Sequence, residues 1–204
     1  MVTALAQGVT YLVPHSELDP CRAMAAEGYL TAAERDGVQA DGVDLGNSPF
    51  GYLDGVVPVR GRAVAITTTN GTRALHLSAA AEHVVVGAFL NLGAVAEFLR
   101  QQQRDVVVVC AGWKGMFCLE DTLFGGALAA RLAPGFDTTS SDATLAALDL
   151  WQAASSNVAG YLLKSAHVRR LNHLEAHKDM EFCVRQDVYD LVPVFRNGKI
   201  IVAH

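Results

Sequence analysis

The stretch TTTNGTRAL (67–75) has three consecutive threonines, an Asn-Gly pair and an arginine directly after the apolar run RAVAI. Strand-end hydroxyls, backbone N–H groups at a helix start and a guanidinium together bind oxyanions such as phosphate, sulfonate or carboxylate. A purely structural interpretation uses the same residues: Thr67 and Thr68 end a strand, Asn70-Gly71 is a turn, and Thr72 caps the next helix. Both interpretations are open at this point.

A second polar stretch, CAGWKGMFCLEDTLFGGAL (110–128), offers carboxylates and a cation. Gly112 and Gly115 let the backbone approach a ligand closely, and Lys114 adds a positive charge. Glu120 and Asp121 open the following helix, where acidic side chains are favourable for the helix dipole alone. The alternative is that one or both hold Mg²⁺, which prefers oxygen ligands and keeps several waters.

Cys110 is a weak candidate for a covalent nucleophile. It ends an apolar run, but most free cysteines behave as small buried hydrophobic residues, and a reactive thiolate needs a nearby base or cation. Met116 stands where the usual cysteine-phosphatase loop has an arginine. The P-loop, dinucleotide, nucleophile-elbow and zinc-protease motifs are also absent from the sequence.

Three consecutive segments, 62–81, 82–103 and 104–132, each read as an apolar strand, a polar turn and a helix. Valine-rich runs followed by glycine-containing turns and helices predict buried parallel strands in βαβ units. The predicted fold class is therefore α/β, layered as α/β/α around a mostly parallel or mixed sheet. In such sheets ligands bind at the carboxyl ends of the strands, which predicts a ligand site at loops 67–73, 88–93 and 110–122. We expect loop 44–50 to fold against them.

The remaining elements follow from turn and cap signals. Residues 8–14 predict a strand, 16–28 a helix with Ser16 as N-cap and Gly28 past its end, and 29–52 a mostly loop-like stretch. Residues 140–175 predict helices, and 187–204 a closing strand or hairpin with Asn197-Gly198 as its turn. We expect one domain over 1–204, with two closely packed subdomains, about 1–135 and 136–204, as the alternative.

Composition excludes several classes of protein. The 204 residues are 51% hydrophobic and 18% charged, which is typical of a globular chain, and the net charge of -5 gives no basic footprint for nucleic acid. No apolar run has the length of a membrane span, and the four scattered cysteines favour a reducing cytoplasm. Apolar faces on the C-terminal helices would suit a homodimer.

Four stretches together resemble one family: DLGNSP (44–49), TTTNGTRAL (67–75), CAGWKGMFCLEDTLFGGA (110–127) and EFCVRQDVYDLVPV (181–194). In this combination and order they are similar to the 2-phosphosulfolactate phosphatases of coenzyme M biosynthesis. The resemblance covers nearly the whole chain. It implies an α/β fold and Mg²⁺-dependent hydrolysis of 2-phospho-3-sulfolactate, a small anionic substrate, to 3-sulfolactate and phosphate.

The resemblance also implies site residues. The catalytic set is Glu120, Asp121, Arg73 and Cys110, with Glu120 and Asp121 as the Mg²⁺ ligands or the groups that orient water. The substrate-binding set is Asn47, Ser48, Thr68, Thr69, Asn70, Gly71, Thr72 and Gly112, to which the chemistry of the loop adds Lys114. The segment AER resembles a family GER segment and adds Glu34 and Arg35.

One departure from the family pattern concerns the start of the chain. The family carries a further strand, ending in an Asp-x-x-Arg-Ala-[Ser/Thr]-Thr-like loop, ahead of the segment that matches VTALAQG (2–8). We expect either a start codon assigned too late or a shortened relative. The alternatives to the preferred function are therefore a phosphatase for another small phosphorylated acid and a truncated, non-catalytic anion-binding protein.

Overall fold

A computed structural model of the chain describes residues 1–171 and 174–203. The chain forms two compact units, the first from Met1–Val86 with Leu191–His204 and the second from Gly87–Asp190. The divisions lie at 86/87 and 190/191, whereas the sequence analysis places one near residue 135. The chain therefore leaves the first unit, builds the second as one continuous stretch, and returns.

A mixed seven-stranded sheet forms the centre of the first unit, in the part of the chain that the structure describes. Its order is β3-β2-β4-β1-β7-β6-β5. Strands β2, β4 and β1 run parallel, and the other neighbouring pairs are antiparallel. The strands are β1 (Tyr11–Pro14), β2 (Leu30–Arg35), β3 (Val38–Gln39), β4 (Ala63–Thr67), β5 (Val84–Val85), β6 (Pro193–Arg196) and β7 (Lys199–Val202). The predicted α/β class with a mixed sheet is confirmed.

The core is most deeply buried at the centre of the sheet. Leu12 on β1, Val64 on β4 and Ile200 on the antiparallel strand β7 are completely shielded from solvent. Residues 64–67 of β4 are buried in succession, and a strand buried on both faces reads as a continuous apolar run, which explains why β4 was predictable. Because β2, β4 and β1 are parallel, their carboxyl ends lie at one edge of the sheet.

Four helices of the first unit connect these strands. They are α1 (Val2–Ala6), α2 (Leu18–Ala23), α3 (Phe50–Leu53) and α4 (Gly71–Leu77). A 3₁₀ turn extends α2 and ends at Gly28, whose φ of 86° is the left-handed conformation that glycine adopts without strain. The predicted helix end is confirmed, but the N-cap is Glu17 instead of Ser16.

The prediction that 29–52 is mostly loop was wrong for its first part. Residues 30–35 form β2, and β3 returns antiparallel through Asp36 and Gly37, which both have positive φ. The sequence LTAAER has several good helix formers and no valine or isoleucine, so its pattern did not indicate a strand. Pairing with β4 and burial of Leu30–Ala33 override that local preference.

The second unit is built from helices α5 to α10. They are α5 (Leu92–Gln102), α6 (Leu119–Leu132), α7 (Asp142–Ala154), α8 (Val158–Leu162), α9 (Ala166–Leu171) and α10 (Leu174–Cys183). Helices α6 and α7 approach closely at Gly126, where a Cβ atom would lie 2.0 Å from the carbonyl oxygen of Ala147. Phe89 stacks on Trp151 at a centroid distance of 5.8 Å. The predicted helical region after residue 140 is confirmed, and no helix among the described residues is long and apolar enough to cross a membrane.

The predicted strand in the third strand-turn-helix segment is not formed. The run VVVV (106–109) joins no ladder with any described residue, and the exposed fractions of Val107 and Val109 are 84% and 55%. Strands require a hydrogen-bonded partner, so β-propensity alone cannot produce one. Strand β5 of the second segment is antiparallel to β6 and only two residues long, so only the first segment supplies a buried parallel strand.

Candidate active-site residues

The four loops expected to gather at the sheet edge divide between the two units. Loops 44–50 and 67–73 belong to the first unit, whereas loops 88–93 and 110–122 belong to the second. In the first unit, the backbone of Leu45 bridges to Ala32 near the end of β2, and residues 67–73 follow β4. The parallel sheet thus places loops 44–50 and 67–73 at the same edge.

Side-chain hydrogen bonds hold the threonine-rich loop in a defined conformation. Thr67 is completely buried and accepts a hydrogen bond from Arg35 Nη2 at 3.1 Å. Thr68 Oγ1 accepts from the backbone N–H of Thr72 at 3.3 Å, and Thr72 Oγ1 donates to the carbonyl of Thr68 at 3.1 Å. The N-cap of α4 is Asn70, so the interpretation of Thr72 as a cap was wrong. Thr68 satisfies a helix-start N–H instead.

Glu34 and Arg35 connect this loop to β2. The Glu34 carboxylate accepts hydrogen bonds from Gly37 N at 2.6 Å, from Thr69 N at 3.5 Å and from Thr69 Oγ1 at 3.3 Å. Arg35 Nη1 donates to the Glu34 carbonyl at 2.7 Å while Nη2 reaches Thr67. Both side chains therefore position the loop, and the structure brings the two predicted segments together.

Arg73 differs from Arg35 in its surroundings. It is exposed on α4 and makes no hydrogen bond or ion pair with any residue that the structure describes. Its guanidinium can therefore bind an oxyanion in a bidentate manner without breaking an existing contact. Asn47 is exposed at the same edge, and Ser48 Oγ accepts from Phe50 N at 3.3 Å.

Sequence reasoning missed Asp44, which anchors loop 44–50. Its Oδ2 atom accepts from both the backbone N–H and the hydroxyl of Thr31, at 2.8 and 3.0 Å. The N–H groups of Asp44 and Leu45 both donate to the Thr31 carbonyl at 3.0 Å. An aspartate before a Gly-Asn-Ser turn was a signal for a local cap, but its partner thirteen residues earlier could not be identified before β2 was known.

His15 was also missed. It follows β1 at the same sheet edge, and its backbone N–H donates to the Ile66 carbonyl at 2.8 Å. The Nε2 atom is shielded from solvent and has no hydrogen-bond partner among the described residues. Burial, followed by the nearby His76, lowers the pKa of His15, while Glu27 opposes the shift. The lowered pKa favours the neutral form of this imidazole, which follows β1 near Ile66 of β4.

In the second unit, Asp121 holds the loop that begins at Cys110. Its Oδ2 atom accepts a hydrogen bond from Gly112 N at 2.7 Å. The backbones of Trp113 and Met116 exchange hydrogen bonds of 3.0 and 2.9 Å, which close a tight turn. Gly112 has a φ of 66°, and a Cβ atom there would lie 2.6 Å from the Met116 carbonyl oxygen, so this position requires glycine.

Lys114 lies at the tip of that turn. Its φ of 51° is unusual for a residue with a side chain, and the ammonium lies 4.6 Å from the centre of the Trp113 ring. The contact is a cation–π interaction at an exposed position. Lys114 is therefore held on the turn by its neighbour.

Glu120 lies in the first turn of α6 and lines a cavity of about 240 Å³. Its Oε2 atom is shielded from solvent. The wall of the cavity is formed by Met116, Phe117, Cys118, Leu119, Glu120, Lys164, Ser165 and Ala166. The two adjacent acidic residues therefore have different surroundings: Asp121 supports the turn, whereas Glu120 is one of the residues that line the cavity and has one shielded carboxylate oxygen.

Cys110 does not have the surroundings of an activated thiol. Desolvation of the thiol, followed by the neighbouring Asp121 carboxylate, raises its pKa above the ordinary value, and a hydrogen bond with Thr122 opposes this. Cysteine nucleophiles require the opposite shift, because the thiolate is the reactive form. The raised pKa thus disfavours a thiolate at Cys110, whose role as a nucleophile stays a prediction.

The donor chemistry around Glu120 is compatible with Mg²⁺. Within the described residues, no group of three or more His, Cys, Asp and Glu side chains is arranged to hold a metal ion. Mg²⁺ sites commonly use only one or two carboxylates, with water and substrate phosphate completing the shell. Glu120 and the Oδ1 atom of Asp121 are the carboxylate oxygens that would serve.

Comparison with known proteins shows to which family the chain belongs. The family model described as 2-phosphosulpholactate phosphatase matches residues 1–198. This chain belongs to the 2-phosphosulpholactate phosphatase family. The relationship covers both compact units, so the helical second unit is part of the family fold as much as the sheet.

Individual relatives agree with the family model. A probable 2-phosphosulfolactate phosphatase of Caldanaerobacter subterraneus subsp. tengcongensis is 36% identical over 202 residues, covering 97% of this chain and 83% of the relative. Proteins with the same name from Cyanothece sp. and Thermotoga maritima are 36% and 33% identical. These two matches cover 100% and 99% of this chain, and 87% and 86% of the relatives. The resemblance first seen in four stretches therefore extends along the chain.

Proposed function

We propose that this protein is a Mg²⁺-dependent phosphatase that hydrolyses 2-phospho-3-sulfolactate to 3-sulfolactate and phosphate. The observation that carries the proposal is the family match over residues 1–198. The names of the relatives identify them as probable 2-phosphosulfolactate phosphatases. The chemistry of the candidate residues agrees with that activity.

The first unit offers groups suited to an oxyanion. The Arg73 guanidinium makes no hydrogen bond or ion pair with a residue that the structure describes, and the hydroxyl and amide of Thr69 are oriented by Glu34. A guanidinium of this kind would neutralise the negative charge of a bound oxyanion. Thr67 and Thr68 contribute by holding the loop in place.

The second unit offers the carboxylates. When bound, Mg²⁺ would supply positive charge to the phosphoryl oxygens and lower the pKa of a bound water. Glu120, which lines the cavity, would hold the ion through its carboxylate and accept a proton from the attacking water. Asp121 would keep the turn at Gly112 in place and offer Oδ1 as a second oxygen.

Compartment and assembly are further parts of the proposal. None of the four cysteines, all of which the structure describes, forms a disulfide bond, which agrees with a reducing cytoplasm. A homodimer stays a prediction, and light scattering on the purified protein tests it.

The direct test is phosphate release from 2-phosphosulfolactate by the purified chain, with Mg²⁺ and with excess EDTA. We expect turnover that EDTA abolishes and added Mg²⁺ restores. A panel of other small phosphorylated acids, including 2-phospholactate, runs in parallel. Turnover of another acid in preference to phosphosulfolactate would move the assignment to a different substrate. Binding without turnover of any compound would indicate a non-catalytic anion-binding protein.

A further inference from the structure

The cavity beside Glu120 is lined in part by a cationic residue to which the proposed function gives no role. Lys164 and Ser165 lie between α8 and α9 and form the wall together with residues 116–120. The cavity volume of about 240 Å³ corresponds to roughly eight water molecules, each of which takes up about 30 Å³ in the liquid. This space is sufficient for an acid with a three-carbon backbone.

Lys164 is held in place by a neighbouring ring. Its Nζ atom lies 3.4 Å from the centre of the Tyr161 ring, one turn earlier in the chain. A cation over an aromatic face is attracted to it, which restricts a side chain that otherwise has four flexible bonds. The ammonium thus keeps its three N–H donors while its position is limited.

Ser165 complements the lysine as a neutral donor. The residue is buried, and its Oγ atom accepts a hydrogen bond from Val168 N at 3.1 Å. That bond uses an oxygen lone pair and leaves the hydroxyl proton to donate to a ligand oxygen. Two consecutive residues that line the cavity therefore carry a charged and a neutral hydrogen-bond donor.

We propose that Lys164 and Ser165 bind an acidic group of the substrate other than the phosphoryl group that is transferred. The proposal rests on the proposed function, because 2-phosphosulfolactate carries a sulfonate and a carboxylate in addition to its phosphate. Lysine acts as a point charge and selects for negative charge without demanding planar geometry. Either acid group fits this chemistry, and the experiment below distinguishes them.

The test compares Lys164→Gln with Lys164→Arg, which keeps the charge, and with Lys178→Gln as a control that removes an exposed lysine elsewhere in the second unit. Steady-state kinetics are measured with 2-phosphosulfolactate and with 2-phospholactate, which lacks the sulfonate. Loss of a charge-assisted hydrogen bond predicts a KM about 10- to 100-fold higher for Lys164→Gln on 2-phosphosulfolactate. We expect kcat to change by less than about threefold, since the contact is the same in ground and transition states. Lys164→Arg should recover most of the loss, and Lys178→Gln should behave like the unaltered protein.

The second substrate identifies the acid group. A defect that disappears with 2-phospholactate assigns Lys164 to the sulfonate, whereas an equal defect on both substrates assigns it to the carboxylate. Inorganic phosphate is the probe for the part of the site that binds the transferred phosphoryl group. Its inhibition constant should be the same for Lys164→Gln and for the unaltered protein. An unchanged KM, or a weakened inhibition by phosphate, would overturn the proposal.

A binding measurement separates this inference from the proposed function. Calorimetric titration with 3-sulfolactate, and with lactate for comparison, requires no turnover. A chain that releases no phosphate but binds 3-sulfolactate, with affinity reduced in Lys164→Gln, would remove the proposed reaction and retain the role of Lys164. Affinity equal in the two proteins would remove the role of Lys164 even if phosphate release is observed.

Discussion

The Asp121 side chain accepts a hydrogen bond from the backbone N–H of Gly112 at 2.7 Å. The bond spans nine residues and connects the first turn of α6 to the turn that precedes it. The adjacent residue Glu120 lines the cavity instead. Two neighbouring carboxylates that look equivalent in the sequence thus have different surroundings, and the proposed function gives them different tasks.

We expect Glu120→Gln to reduce kcat by about 10²- to 10⁴-fold, the range associated with loss of a general base. Asp121→Asn should have a smaller effect, because the amide oxygen can still accept from Gly112, whereas Asp121→Ala should also destabilise the turn. The measurement is Mg²⁺-dependent phosphate release, with circular dichroism to establish that each variant is folded. The double amide variant should show no Mg²⁺-dependent turnover, and full activity in that variant would contradict both assignments.

Two arginines of the first unit form a matched pair. Arg73→Ala should leave the free energy of unfolding within about 0.5 kcal/mol of the original, as expected for an exposed residue that makes no hydrogen bond or ion pair within the described part of the chain. Its kcat/KM should fall by about 10- to 100-fold through loss of a charge-assisted contact. Arg35→Ala should instead lower the free energy of unfolding by about 1–3 kcal/mol, because Thr67 Oγ1 loses its donor in the interior. Urea unfolding and kinetics on both variants check this, and the opposite order of stabilities would refute it.

The raised pKa of Cys110 predicts that its thiol is dispensable. Cys110→Ser should keep kcat within about threefold, since loss of a true nucleophile costs several orders of magnitude. Mass spectrometry of protein quenched during turnover should detect no phosphorylated cysteine. Cys183→Ser, an exposed thiol in the same unit, is the control for general effects of cysteine replacement. A phosphocysteine adduct at 110 would reverse the conclusion.

Several elements could be predicted because independent signals agree. Residues 62–77 combine an apolar run, an Asn-Gly turn and a helical pattern, and all three describe β4, its loop and α4. The closing hairpin was predictable because Asn197-Gly198 supplies two residues with positive φ between apolar runs. These segments could be predicted from the sequence because their local preferences agree with the tertiary fold.

The errors have a different physical origin. Strand β2 has the composition of a helix and is made a strand by pairing with β4, while the valine run 106–109 has the composition of a strand and lacks a partner among the described residues. The contacts of Asp44 with Thr31, and of Arg35 with Thr67, likewise depend on which strands are neighbours. A single sequence shows the preferences of its residues and their hydrophobic periodicity, but it does not show which strands pair with one another. The candidate residues could therefore be named, whereas their division into positioning and ligand-facing groups could not.

The valine run gives a direct stability test. Val107 is 84% exposed, so Val107→Thr should change the free energy of unfolding by less than about 0.5 kcal/mol. The same substitution at Val64, which is fully buried on β4, should cost about 1–3 kcal/mol because it buries a hydroxyl. Urea denaturation of both variants provides the comparison. Equal destabilisation would mean that residues 106–109 are covered in the folded protein.

The partly buried imidazole of His15 predicts a pH dependence of stability. Its pKa in the folded protein is below the ordinary 6.5, first because of burial and then because of His76, with Glu27 acting in the opposite direction. Above pH 6.5 both folded and unfolded forms are neutral, and the stability is complete. As the pH falls below 6.5 the unfolded state binds the proton more readily, so stability is lost until the folded-state pKa is passed, and no further change follows.

His15→Gln should therefore flatten the curve of unfolding free energy against pH between about pH 5 and 7, the range in which histidines titrate. His83→Gln, which removes an exposed histidine of the same unit, is the control for the replacement of a histidine elsewhere. The informative quantity is the difference between the variants, because other histidines titrate in this range as well. Urea unfolding at a series of pH values measures it. A slope unchanged in His15→Gln would mean that the imidazole is hydrated and that the end of β1 does not bury it.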